Sequence, residues 1–344
     1  LIKLLRLNVR LPDSFEGDLN AQVAACEIGR RRLSELARRY DKQQVTAIFS
    51  DLLNRSENMT RKAIAKLPNG TFSHVDYLDN DGINLETPIK IEVSVTISDD
   101  EVYVDFSGTE AQVKGPFNLM PSGAYAAAYF AVHAMTDPSI PTNGGCFRPI
   151  TLYLPEKSIV NPVEPAAVNA RTSTMKRVAG CITNALGKVA PDRAVADAAG
   201  ELLLLAFGGN RGDGSRYVVG ELIASGSGAS DGMDGVDVIE TDGTNCMNLP
   251  VEALELDVPI RINKTEIRTG SGGAGMYRGG LGIVREYEIL LGDVVFTHRG
   301  ERHAYAAQGV QEGKPGQKAY SVIKRKNGAV EIINSKTVQR LMAG

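Results

Sequence analysis

Residues 271–287 read SGGAGMYRGGLGIVREY. This stretch holds six glycines, two arginines and no proline. Glycine this dense lets a backbone turn sharply and lets another group approach closely. A dinucleotide loop needs G-x-G-x-x-G between a strand and a helix. Gly273-Ala274-Gly275 starts that pattern but puts Arg278 in the sixth place, and Gly280-Leu281-Gly282 puts Arg285 there. The nearest approach to a P-loop, Gly313-Lys314, runs into Pro315 instead of Ser or Thr. After Gly282 the chain reads IVREYEIL, which is strand-like, whereas both phosphate loops need a helix N-terminus there. The segment therefore reads as a tightly turned loop feeding a strand.

Working outward, the C-terminal half is rich in strands. RYVVGELIA, DVPIRINKTEIR, GIVREYEIL, DVVFTHRG, AYSVIKR and AVEIINS all carry strand composition. Upstream, residues 17–67 read as helices. Val45, Ile48, Phe49, Leu52 and Leu53 follow i, i+3, i+4, i+7, i+8, the spacing of one buried face. Arg30, Arg31, Arg32, Arg38 and Arg39 read as a solvated, dipole-compatible cluster. Ile89 to Ile97 and Val102 to Phe106 alternate across a turn at 98–101 and predict a hairpin. Residues 122–135 predict an alanine-rich helix with His133 at its core or edge, and 136–170 an irregular stretch. Helices are expected near 171–190 and 193–206, the second including the apolar run LLLLAF at 202–207. The pattern is α+β: N-terminal helices and hairpin, central helices, and a β-rich C-terminal half. It divides into 1–70 helical, 71–210 mixed α+β, and 211–344 β-rich.

Composition narrows the function. The chain has 344 residues, enough for two or three subdomains. A net charge of -3 gives the whole no pull towards nucleic acid or an anionic membrane, and no apolar run approaches the ~20 residues of a span. Cys26, Cys146, Cys181 and Cys246 are scattered without a CxxC, which reads as free thiols in a reducing cytoplasm. The chain opens on Leu1, which reads as a fragment, a processed product or a chain lacking its beginning.

Four loops carry groups that could do chemistry. In PTNGGCFRPI, Thr142 and Asn143 can hydrogen-bond a substrate and Arg148 can clamp a carboxylate; the bland reading is an Asn-Gly-Gly turn. In NARTSTMKR, Asn169 and Arg171 precede a Ser/Thr run that reads first as a helix cap and second as an anion site. In DGMDGVDVIETDGTNCMNLPVE the Asp spacing fails the EF-hand, so an exposed acidic loop is expected, with Asn245 and Asn248 as candidate site residues. In FTHRGERH, His298, Arg299 and His303 suggest an acid/base pair against a charged turn. Metal binding by the acidic loop stays an alternative, and the two histidines lack a third local ligand for zinc, so no metal ligand is assigned.

Taken in order, several motifs make the chain similar to the hydantoinase B/oxoprolinase family. They are RLPDSFEGDLNAQVAACEIGRRRLSEL, VYVDFSGTEAQVKGPFN, GGCFRPI, LPEKSIVNPVEPAAVNA, TNCMNLPVEALELDVPIRI, and SGGAGMYRGGLGIVREY with GVQEGKPG. The resemblance implies a subunit of an ATP-dependent hydrolase that opens a cyclic amide such as a hydantoin or 5-oxoproline. A hydantoinase A-type partner would use the ATP. An equivalent subunit of an ATP-dependent ketone carboxylase using bicarbonate is the alternative, and a non-catalytic scaffold the third reading. The family logic is carbonyl activation followed by attack of water or carbon dioxide, with Arg, Asn and backbone N–H groups stabilising the oxyanion. The family's divalent metal is expected on an upstream segment, in a separate chain or missing from a truncated form. His74, His133, His298 and His303 do not recreate its motif. On this reading Arg148, Asn143, Asn169, Asn245 and His298 are the catalytic candidates, and Thr142, Arg171, Asn248 and Arg299 the substrate-binding ones.

Overall fold

A computed structural model describes every residue except Arg10, Glu201, Leu202, Gly243 and Asn245. The fold is α+β and forms two units, Leu1–Asn58 with Pro141–Cys146, and Met59–Ile140 with Phe147–Gly344.

The first unit is helical. α1 (Ile2–Leu7) is tied to α2 (Pro12–Tyr40) by Arg6, whose guanidinium meets Asp13 at 2.8 Å and also Glu16. Pro12 sits at the helix start, where its missing N–H costs nothing, and Arg38 and Arg39 complement the C-terminal dipole. Asp41, at φ 56°, breaks the run, and its Oδ1 accepts the Gln44 N–H to cap α3 (Lys42–Ile64). The expected buried face on α3 is not buried within this unit: Ile48, Phe49 and Leu52 are about half exposed. The 141–146 turn lies on α3. Asn143 Nδ2 donates to Ser56 Oγ at 2.7 Å, and a Cβ at Gly145 would overlap the Leu53 carbonyl.

The second unit holds two cores. β1 (Gly70–Leu78), β2 (Ile89–Ser98), β3 (Glu101–Asp105) and β4 (Ile150–Tyr153) form one sheet in that order, antiparallel except for β3/β4. Ile89, Ile91, Val93, Val95 and Ile97 point to one buried face, as their alternation requires. α4 (Pro121–Thr136) and α5 (Arg171–Gly187) pack together, and the small residues Ala124, Ala128 and Ala131 of α4 are fully buried.

The other core belongs to a second four-stranded sheet of β5 (Leu203–Asn210), β6 (Arg216–Ile223), β9 (Asp293–Arg299) and β12 (Lys336–Met342), in the order β12-β9-β5-β6 and all antiparallel. Beside it stand a short helix α6 (Val251–Asp257) and two ribbons, β7 (Ile260–Ile267) with β8 (Ile283–Ile289) and β10 (Ser321–Lys324) with β11 (Val330–Ile333). Over the described residues of 193–206 the expected helix does not form, Glu201 and Leu202 lying outside them: a 3-10 turn at Pro191–Arg193 is followed by irregular chain to Gly200, and β5 begins at Leu203. The apolar run pairs with β6 and β9 instead, and tertiary pairing overrides the helix propensity of leucine. No described helix is long and apolar enough to cross a membrane.

Candidate functional site

The glycine segment packs against backbone. A Cβ at Gly272 would overlap the Gly279 carbonyl, one at Gly273 the Lys314 carbonyl, and one at Gly280 the Val236 carbonyl. Gly226, Gly235 and Gly309 are equally tight. Three loops, 225–236, 271–282 and 309–316, thus cross at backbone contact, which only glycine permits. The two arginines lock the crossing. Arg278 Nη1 and Nη2 reach Asp237 at 2.7 and 3.3 Å, and Arg285 Nη2 reaches Glu221 at 2.7 Å in a buried pair. No phosphate cradle is left in this segment.

These loops wall a cavity of about 1200 Å³. Its polar end is formed by the chain that leaves β9. Leu205 of β5 faces His298 across the ladder, so His298 points to the same sheet face as Phe296. His298 Nδ1 donates to the Ser335 carbonyl at 2.8 Å, leaving Nε2 to accept from Ser321 Oγ at 2.8 Å. Burial, with His303 and Lys336 nearby, lowers its pKa to about 4, so the ring is neutral. His303 differs. Its Nδ1 lies 3.1 Å from the Glu301 carbonyl, which fixes that nitrogen as the donor. Its Nε2 is buried without a hydrogen-bond partner. Burial pushes its pKa down, against the pull of Asp79 and Glu301.

The FTHRGERH turn is not the solvated charged turn its composition suggests. Glu301 and Arg302 are 1% and 5% exposed. Arg302, at φ 64°, uses all five N–H groups. Nε meets Ala199 O, Nη1 meets Asp76 Oδ1 and Ala306 O, and Nη2 meets Asp197 Oδ2 and Ala198 O. Burial would raise the Asp76 carboxyl, but Arg177 at 2.7 Å and Arg302 outweigh it and hold it below the ordinary value. Asp79 accepts the His303 and Ala304 N–H groups, while Glu301 accepts the Asp79 N–H and pairs Lys336 at 2.7 Å. These charges bind β1, α5 and β12 to the turn that carries His303.

Of the described candidates read from sequence, His298 and His303 line the cavity. Thr142 and Asn143 belong to the first unit, and Asn143 serves its own turn. Arg148 and Asn169 are exposed. Arg171 opens α5 behind the cap residue Ala170, so the Ser/Thr run lies inside the helix and caps nothing; Ser173 and Thr174 are buried there. Asn248 Oδ1 accepts the Ala224 N–H at 3.3 Å. Arg299 points to the opposite sheet face, where burial lowers its pKa. Asn245 lies outside the described residues. The acidic loop is only partly exposed, because Glu240 turns in to a buried ion pair with Lys176. Asp76, Asp197, Arg177 and Arg302 were missed as candidates. One signal was available: Arg177 falls on the apolar face of α5, with Thr174, Cys181 and Ala185.

Among the described residues no three His, Cys, Asp or Glu side chains are grouped to hold a metal. His298 has no open nitrogen and His303 has one, so these residues do not fit a metal centre.

A family model described as hydantoinase B/oxoprolinase matches residues 1–344. The B-type component of a putative D-/L-hydantoinase from Pseudomonas sp. strain NS671 is 33% identical over 324 residues, covering 91% of this chain and 54% of that one. The beta component of the Pseudomonas jessenii caprolactamase is 32% identical over 326 residues, covering 91% and 53%. The crystal structure of the ATP-dependent caprolactamase from Pseudomonas jessenii superposes with a TM-score of 0.89 at 27% identity, over 100% of this chain and 61% of that one. Acetone carboxylase, at TM-score 0.80 and 18% identity over 94% and 48%, shares the fold. The chain spans about half the length of the curated relatives it matches. It belongs to the hydantoinase B/oxoprolinase family.

Proposed function

We propose that the chain is the part of an ATP-dependent cyclic amide hydrolase that handles the activated substrate, while a partner subunit uses the ATP. The observation that carries the site is the buried, unpartnered Nε2 of His303 in the cavity wall. A neutral imidazole there accepts the proton of a water molecule as its oxygen bonds to the activated carbonyl carbon. The ring C–N bond then breaks as the same proton passes to the departing ring nitrogen, and a second water releases the activating phosphate from the acyl group to leave the carboxylate. The Asp79 contacts to the 303 and 304 backbone hold the imidazole in place, and the Glu301 carbonyl fixes its tautomer. The names carried by the relatives, each one component of a larger enzyme, support the reaction class and the need for a partner.

The test is a turnover assay on the complete protein, with every chain that co-purifies. ATP-dependent opening of a cyclic amide, unaffected by bicarbonate, supports the reading. A strict bicarbonate requirement with a ketone substrate would move it to carboxylation. Full turnover by the His303→Gln variant would return the chain to a scaffold role.

A further inference from the structure

The cavity has two chemically different ends. Leu205 is paired across the ladder with His298, and Phe207 with Phe296, so these four side chains share one sheet face. Ring centroids step from His303 to His298 at 5.5 Å, to Phe296 at 6.2 Å, to Phe207 at 5.1 Å and to Tyr287 at 5.2 Å. All five rings line the cavity, and Ile223 and Ile323 complete its apolar end. The wall thus passes from the His303 ring, whose Nε2 has no protein partner, to hydrocarbon, with the neutral His298 between them.

The cations inside are already committed. Arg302 has no N–H left. Arg285 is engaged by Glu221, Thr265 and the Leu249 carbonyl. Arg268 donates to the Lys318 carbonyl and lies over the Tyr320 ring. The lining lysines 314, 324 and 326 are exposed, where water competes for them. Arg325 pairs Glu331. Among the described lining residues, a ligand carboxylate would meet no unpaired buried cation. Size points the same way. Drug-sized ligands fill ~300–1000 Å³, so a bare five-membered ring would leave most of this cavity to water.

Resting on the cyclic amide reading above, we infer that the cavity takes uncharged cyclic amides carrying an apolar ring or side chain, and discriminates against small lactams carrying a ring carboxylate. The amide lies towards His303, and the apolar body lies against Phe296, Phe207, Ile223 and Ile323.

The test is calorimetric binding to the complete protein, comparing 5-benzylhydantoin with 5-oxoproline. The apolar ligand is expected to bind at least ~10-fold tighter. The Ile323→Asn variant, if its melting curve matches the parent, is expected to lose most of that preference. Equal or tighter binding of 5-oxoproline overturns the inference and leaves the cyclic amide reading standing. So does a preference that survives in a folded Ile323→Asn protein. If neither ligand binds, with or without ATP, the cyclic amide reading itself fails and the inference goes with it.

Discussion

His303 stands edge-on to His298, with ring centroids 5.5 Å apart and planes at 89°. The two imidazoles share an environment but differ in what their nitrogens do. His298 is held on both sides, by the Ser335 carbonyl and the Ser321 hydroxyl. His303 is held on one side and open on the other. On the proposed reading a proton is exchanged with a ligand at the unpartnered nitrogen, so the pair would divide into a fixed, neutral ring and a working one.

The first prediction concerns His303. Its Gln variant should lower kcat by ~100-fold or more while its melting temperature stays within a few degrees of the parent, the effect of removing a general acid/base group. Burial depresses the His303 pKa below its ordinary 6.5. The neutral base is therefore already present at neutral pH, and kcat/KM should fall only as pH drops below about 6.5. A pH–rate profile whose acidic limb is the same in His303→Gln would remove the assignment.

His298 makes a prediction about stability. Its folded pKa of about 4 lies below the ordinary 6.5. The unfolded chain binds the proton first, so this contribution is complete above pH 6.5 and declines as pH falls towards 4. The slope is about 1.4 kcal/mol per pH unit, and the total is roughly 3 kcal/mol. Urea unfolding of parent and His298→Gln between pH 4 and 7 measures it. The difference between the two proteins should grow with pH and level off near neutrality; a difference independent of pH would contradict the buried neutral ring.

Arg302 should be irreplaceable, even by lysine. Lysine has three donors on a point charge and cannot match five fixed N–H directions. Arg302→Lys leaves Asp76 and Asp197 short of partners inside the fold, and breaking a buried pair of this kind costs about 3–5 kcal/mol. Arg340→Lys, at an exposed pair with Asp293, should cost under ~1 kcal/mol. Comparable losses in chemical denaturation would mean that the Arg302 network is ornamental.

Periodicity made much of this fold legible. The alternation of Ile89 to Ile97 and the six C-terminal strand segments appear where composition places them. Local signals failed where long-range pairing decides. The leucine run at 203–205 looks helical by itself and becomes a strand because β6 and β9 flank it. On α3 the apolar spacing identified a helix, but it could not say whether the face would be covered. The site was harder still. Asp76, Arg177, Asp197 and Arg302 are separated by up to 226 residues, and only the folded chain shows that they neutralise one another. Loop position favoured Arg148 and Asn169, which are exposed, over Asp76 and Arg177, which are hidden inside β1 and α5.

The glycine segment supports the last prediction. Gly273 and Gly280 have no room for a methyl group because the Lys314 and Val236 carbonyls occupy that space. Gly273→Ala and Gly280→Ala should each destabilise the protein by at least ~1–3 kcal/mol, the usual cost of overpacking, since a backbone carbonyl cannot rotate away as a side chain can. Gly212→Ala is the control. Its Cβ would meet nothing nearer than Leu291 Cδ2 at 3.9 Å, so it should change stability by only a few tenths of a kcal/mol. A phosphate loop predicts the opposite order, with folded alanine variants that lose nucleotide binding. Melting curves and nucleotide titrations on the same three proteins separate the two. If Gly273→Ala and Gly280→Ala melt with the parent, the crossing of the three loops is looser than their contacts imply, and the cavity they wall cannot hold the shape on which its selectivity depends.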